Sequence, residues 1–214
     1  MPSDAYAEYQ KNLTDVHRLL LLHGALKGTG RGRRGLGHLT RGGLLLLCAA
    51  WERYIETVAV EAVMYLARRL PSHTSLPPVP RQKLIDYVNS SKNAWTPAQL
   101  AAPTWSQIYI ELVTKRTETL NTPKHRNLQP LFDHFLAVPD IASFWSAGSA
   151  EVDAFVEMRG DVAHRGGQSA YIRIAQLAAL EESVSEWVLE TDNALSDHVR
   201  QLITPHRRPW NRVL

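Results

Sequence analysis

Leu44, Cys48, Trp51, Ile55, Val58, Ala62 and Tyr65 follow one another at alternating spacings of four and three residues. With 3.6 residues per helical turn, that rhythm draws a single apolar seam along one face of an α-helix. A strand would need alternation at every second residue, and no stretch of useful length in the chain has it. The seam predicts a long helix from near Leu39 to Leu70, ending at Pro71 and packed inside a bundle. Tyr6, Tyr9, Leu13, Val16 and Leu20 form a second such stripe, and Leu177, Leu180, Val184, Trp187, Thr191 and Leu195 a third. There is no internal repeat. The predicted class is all-α, a bundle of about four main helices with short helices inserted between the second and the one that precedes the last.

A single domain over residues 1–214 fits this pattern, with three irregular parts. Residues 28–38 are a basic, glycine-rich loop, where repeated glycine disfavours a continuous helix. Residues 71–147 are an insertion of short helices lying on the bundle, with no long seam of their own. Residues 204–214 are a basic tail. Within the insertion, Thr96-Pro97 and Thr122-Pro123 each pair a cap residue with proline at the first helical position. Thr104 is the expected cap of a helix over 105–120, Asn127 of one over 128–136, and Ser149 of the helix carrying Val152, Phe155 and Val156. Gly166-Gly167 is the expected stop of that last helix.

Forty-four per cent apolar and 21% charged residues make a packed globule the default. The one cysteine, Cys48, excludes an internal disulfide framework and a thiolate zinc site, and it suits a reducing, cytoplasmic setting. No pair of histidines stands at metal-ligand helix spacing, so no metal and no cofactor are expected. The first residues have neither a basic region nor an apolar core, so they do not read as a signal peptide. The apolar run from Leu44 meets Glu52, Arg53, Glu56 and Glu61, too many charges for a bilayer span. Net charge is only +3, but no acidic residue falls between Asp15 and Glu52, where Arg18, Lys27, Arg31, Arg33, Arg34 and Arg41 gather. After Asp197 only basic charges follow, on Arg200, Arg207, Arg208 and Arg212. Such blocks favour polyanions; a solvated loop and tail is the plainer reading.

The segment Met158-Arg159-Gly160-Asp161-Val162-Ala163-His164-Arg165-Gly166-Gly167 puts an arginine and a histidine five residues apart near the end of a predicted helix. The two side-chain types suit metal-free cleavage of a phosphodiester, though on spacing alone such a pair is a weak signal. Cleaving RNA through its own 2′-hydroxyl needs a base that works near neutral pH, and histidine is the side chain tuned for that. The phosphorus centre gathers negative charge, which the fixed fork of an arginine stabilises without a metal. The products would be a 2′,3′-cyclic phosphate and a 5′-hydroxyl. A separation of five places Arg159 and His164 about 140° apart on a regular helix, so they share a face only if the helix loosens or a second copy supplies the complementary pair. A surface arginine with a helix-terminal histidine is the competing reading.

Three blocks, in order, resemble the HEPN superfamily of the L-PSP-associated type, whose signature is R-x(4–6)-H. The first is Arg41 to Ile55, an apolar run ending in Ala-Ala-Trp-Glu-Arg-Tyr; the second is Asn121 to Asp133; the third is Phe155 to Gly166. The resemblance implies a HEPN-like helical bundle that forms a homodimer, with Arg159 and His164 of both subunits lining a shared cleft. It implies a metal-independent endoribonuclease acting on tRNA or mRNA, in a toxin–antitoxin or phage-defence setting with an antitoxin or defence-system partner. The chain departs from the pattern at Gly160, where a polar residue, often asparagine, is usual, and at Arg165, where glycine is usual. Either Asp161 supplies the polar group one step later or the site is weakened.

Glu52 is a supporting candidate, a carboxylate on the second helix able to hold the fork of Arg159; pairing with Arg53 or with the partners of Glu56 is the alternative. Arg31, Arg33, Arg34 and Arg165 are candidate RNA-backbone contacts, with ordinary solvation the alternative, and Trp210, in the basic tail, is the one tryptophan available to stack on a base. Two rival functions compete with cleavage: a non-catalytic HEPN-like module that binds RNA or nucleotide, favoured by Gly160, and a helical adaptor for another protein. Gly30 to Gly35 spells G-x-G-x-x-G, but with no strand before it and no parallel sheet to place it, it does not read as a dinucleotide-binding motif. Arg159-Gly160-Asp161 matches a cell-adhesion tripeptide, which means nothing inside a helix.

Overall fold

The computed structural model describes residues 1–26, 35–90, 98, 100, 101, 103–168 and 171–213. These form seven α-helices and no strand among the described residues: α1 (Asp4–Ala25), α2 (Gly37–Arg69), α3 (Pro78–Ser90), α4 (Trp105–Glu118), α5 (His125–Leu136), α6 (Ser149–Arg165) and α7 (Ile174–Gln201). Short 3-10 turns lie at His73–Ser75, Ile141–Phe144 and Gly166–Gln168. Lys27, Arg31, Arg33 and Arg34, and the pair Thr96-Pro97, lie outside the described residues.

α2 is the axis of the molecule. Its predicted seam is buried from Leu44 to Ala62, with Tyr65 half-buried, but so are Leu47, Tyr54, Ala59, Val63 and Leu66 on its other sides. The reason is position: α1, α4, α5, α6 and α7 all pack on it, so most of its circumference faces protein, while Leu45, Leu46 and Arg53 mark the arc left exposed. At its centre Trp51 meets Trp145 edge-on at 5.8 Å and Trp187 at 6.1 Å, and Phe155 of α6 meets Trp187 at 5.9 Å. Trp145 donates its indole N–H to Thr191 Oγ1 at 2.9 Å, so α7 is joined to the turn before α6 by a paired polar atom. Gly43 permits the close crossing of α2 and α7: a β-carbon there would stand 2.5 Å from Leu177 Cδ2. The short helices α3 to α5 contribute Leu84, Val88, Tyr109, Val113, Leu128 and Phe132 to the same core.

Several ends differ from expectation. α2 begins at Gly37, inside the expected loop, because Thr40 Oγ1 donates to Gly37 O at 3.1 Å and Leu39 N to Leu36 O at 3.0 Å, closing one more turn. Thr104 precedes α4 as expected, but its side chain makes no cap hydrogen bond and the helix ends at Glu118. Thr122-Pro123 does not start a helix. α5 starts at His125, two residues before the expected cap Asn127, and its first N–H is capped from another helix, by Asp153 Oδ1 of α6 at 2.7 Å. Ser149 is the first residue of α6, not its cap; that place is taken by Gly148 at φ +74°.

The basic tail is packed. Trp210 is buried and donates its indole N–H to the backbone carbonyl of Asp192 at 3.0 Å, which removes it as a platform for a base. Arg208 and Arg212 both reach Asp197, at 2.6 and 3.6 Å, so half of the cations that follow Asp197 are spent on that carboxylate. Among the described residues no helix is long and apolar enough to cross a membrane.

Candidate active site

α6 is built to hold one end of the motif against the core and offer the other to solvent. Val152, Phe155, Val156 and Val162 are its buried residues, and Arg159, seven residues after Val152 and three before Val162, falls within the same arc. Its side chain is therefore only 38% exposed. There α2 presents Glu52, with Glu52 Oε2 3.9 Å from Arg159 Nη2, an ion pair too long for a hydrogen bond. Arg53, the alternative partner, turns instead to Glu8 of α1 at 3.2 Å. Partial burial raises the carboxyl of Glu52 above the usual carboxylate range, and the guanidinium of Arg159 pulls it back down. Cys48, one turn earlier on α2, feels the same pair: burial pushes its thiol up to about 12, against the pull of Arg159. It is a core thiol, not a nucleophile.

The α-helix continues unbroken through Arg165, and Gly166 ends it at φ +51°, its N–H bonding Val162 O. The helix does not loosen between Arg159 and His164, so the two side chains leave it about 140° apart. His164 is exposed and makes no hydrogen bond or ion pair among the described residues. Asp161, about 60° from His164 and about 160° from Arg159 around the axis, belongs to the histidine side. It pairs with Arg165 along the helix, Arg165 Nε to Asp161 Oδ1 at 3.0 Å. Gly160 faces open space, with nothing within 4 Å of where its β-carbon would be.

The motif helix is also tied from the side. Lys124 Nζ reaches Glu157 Oε1 at 2.7 Å, one helix turn from where Asp153 caps α5. Both contacts come from the second of the three resembling blocks, which thereby fixes the height and rotation of α6. Neither Asp153 nor Lys124 stands out in the sequence, since a carboxylate that caps a neighbouring helix has no spacing rule.

A family model, RiboL-PSP-HEPN, matches residues 11–197. The chain belongs to that family. The match takes in α2, the whole of α6 and most of α7, so Glu52, Arg159 and His164 all lie within this RiboL-PSP-HEPN domain, while the segment from His198 onward lies beyond it. No curated protein and no solved structure matches the chain.

Proposed function

We propose that this RiboL-PSP-HEPN protein is a metal-independent endoribonuclease that cleaves RNA by attack of the 2′-hydroxyl. The observation that carries the reading is the division of labour along α6: a guanidinium braced on a carboxylate at one end, and an exposed, unpaired imidazole at the other. Glu52, 3.9 Å away, draws the guanidinium of Arg159 to this side of the helix by charge, so that it is in place where negative charge develops. His164 takes the 2′-proton as O2′ bonds phosphorus, the arginine stabilises the equatorial oxygens of the phosphorane, and the P–O5′ bond breaks with the 5′-oxygen taking a proton from water to leave as a hydroxyl. Asp161, on the histidine side of the helix, supplies the polar group that Gly160 lacks. Because the two groups diverge within one protomer, the site is completed across a homodimer, His164 of one copy facing Arg159 of the other. Arg165, with Arg31, Arg33 and Arg34, contacts the RNA backbone. The setting is a cytoplasmic toxin or phage-defence effector restrained by an antitoxin or another defence-system partner, with tRNA or mRNA as target.

The test is product chemistry. Purified protein with RNA and excess chelator is expected to yield fragments ending in a 2′,3′-cyclic phosphate, and a single 2′-deoxy substitution at the cleaved position is expected to block the cut. RNA left whole, or 3′-hydroxyl fragments, would overturn the reading. Gly160 and the divergence of the pair favour one second reading, a binding module without turnover; RNA retained on the protein with no fragments would select it.

A further inference from the structure

The geometry points to a nucleobase-binding pocket between α6 and the start of α7, selective for guanine, which sets where the RNA is cut. A cavity of about 370 Å³ opens there, lined among others by Met158, Asp161, Val162, Tyr171, Ile172 and Gln176. That volume falls in the range of small-molecule pockets, roughly 300–1,000 Å³. The inference rests on the RNA-cleaving reading above and adds the substrate feature that reading leaves open.

Most of the lining suits a flat heterocycle, and Glu157, which also lines it, is taken by Lys124. Met158, Val162 and the buried Ile172 give an apolar, polarisable floor. Tyr171 is 59% exposed, a large aromatic ring left in water at a cavity mouth, where a base can stack on it. The amide of Gln176 is engaged only by a 3.8 Å contact to the sulfur of Met158, so it is free to bond a stronger partner. Asp161 is the selective group. An ionised carboxylate only accepts hydrogen bonds, at two oxygens with about four lone-pair sites. Arg165 takes one site on Oδ1, leaving the rest of the carboxylate available.

Guanine presents two parallel donors, N1–H and N2–H, on one edge, and so can pair with both oxygens of a carboxylate. Adenine and cytosine present one exocyclic amine beside an acceptor, and uracil one N–H between two carbonyls. Each would set a lone pair against Asp161. The carboxylate thus favours guanine and disfavours the other three, while the amide of Gln176 can serve O6 or N7. The pocket also lies on the correct side of the helix: Asp161 is one turn before His164 on neighbouring faces. A base seated there brings its own ribose toward the imidazole.

The experiment measures binding of the four 3′-mononucleotides to the full chain by calorimetry, and maps cleavage sites on a mixed-sequence RNA. Guanosine 3′-monophosphate is expected to bind about tenfold or more tighter than the other three, and cuts are expected to fall at guanosine. Asp161→Asn is expected to abolish that preference, Tyr171→Ala to weaken binding of all four nucleotides, Tyr171→Phe to keep both, and His164→Ala to keep nucleotide binding while losing cleavage. Cleavage at all four bases, unchanged by Tyr171→Ala, would overturn the pocket and leave the ribonuclease reading standing. Selective binding of the guanine nucleotide with no RNA cleavage would sustain the pocket and sink the ribonuclease. Equal or absent binding of all four nucleotides would overturn the pocket.

Discussion

Arg159 lies on the arc of its helix that otherwise feeds the core, yet a core-facing arginine is tolerable only beside a carboxylate. Glu52 supplies it, and the two groups set each other's behaviour. In Arg159→Ala, burial acts on Glu52 unopposed, so its carboxyl, already above the usual range, is expected to rise further. Titration of that carboxyl carbon by NMR checks the sign; a fall would show that another cation holds it. On activity, Arg159→Ala is expected to cost about 10²- to 10³-fold in kcat. Arg159→Lys is expected to recover little of it, because a point charge cannot replace a planar fork. The approach of Glu52 to Arg159 was legible in the sequence, as a carboxylate on the second helix beside the arginine of the motif. Tyr171 and Gln176 were not: a stacking ring and an amide that converge from the start of α7 follow no periodicity.

At the scale of the helix, α6 carries two glycines with opposite roles. Gly160 has a helical backbone and free space around it, so Gly160→Ala is expected to stabilise the protein by about 0.5–1 kcal/mol. Gly166 holds φ +51° at the helix stop, a backbone that side chains resist, so Gly166→Ala is expected to cost about 1–3 kcal/mol. Denaturant midpoints measure both; a loss at Gly160 would mean that the helix is not regular through the motif. The long helices were legible because their stripes repeat over many turns. Their ends were not, because the deciding partners come from elsewhere. Asp153 caps α5 from α6, and the first turn of α2 is closed by Thr40, within a stretch whose glycines read as loop.

Across the whole molecule, both ends of the chain meet at Asp192. Ser3 donates its hydroxyl to Asp192 Oδ1, Asn211 N bonds Met1 O at 2.9 Å, and Trp210 bonds the carbonyl of Asp192. The second carboxylate oxygen of Asp192 is buried with no hydrogen-bond partner among the described residues. Burial therefore pushes this acid up to about 6 from 3.8. Between those values the folded protein keeps a proton that the unfolded chain releases, so stability from this group is full below the lower value and falls as pH rises through the upper one. The loss is about 3 kcal/mol. Asp192→Asn is expected to remove this slope between pH 4 and 6; an unchanged slope in chemical denaturation would assign it to other acids. The tail's basic composition suggested a polyanion contact, whereas its fold is set by Trp210, Asp192 and Asp197, distant partners that local charge does not reveal.

The most direct measurement is RNA cleavage in chelator by wild type, by Arg159→Ala, by His164→Ala, and by the two variants mixed and allowed to exchange subunits. A site completed across the twofold axis leaves each variant silent alone, while mixed dimers keep one intact site of two, so the mixture regains about a quarter of wild-type activity. Variants as active as wild type, or a wild type that leaves RNA whole, would contradict the account.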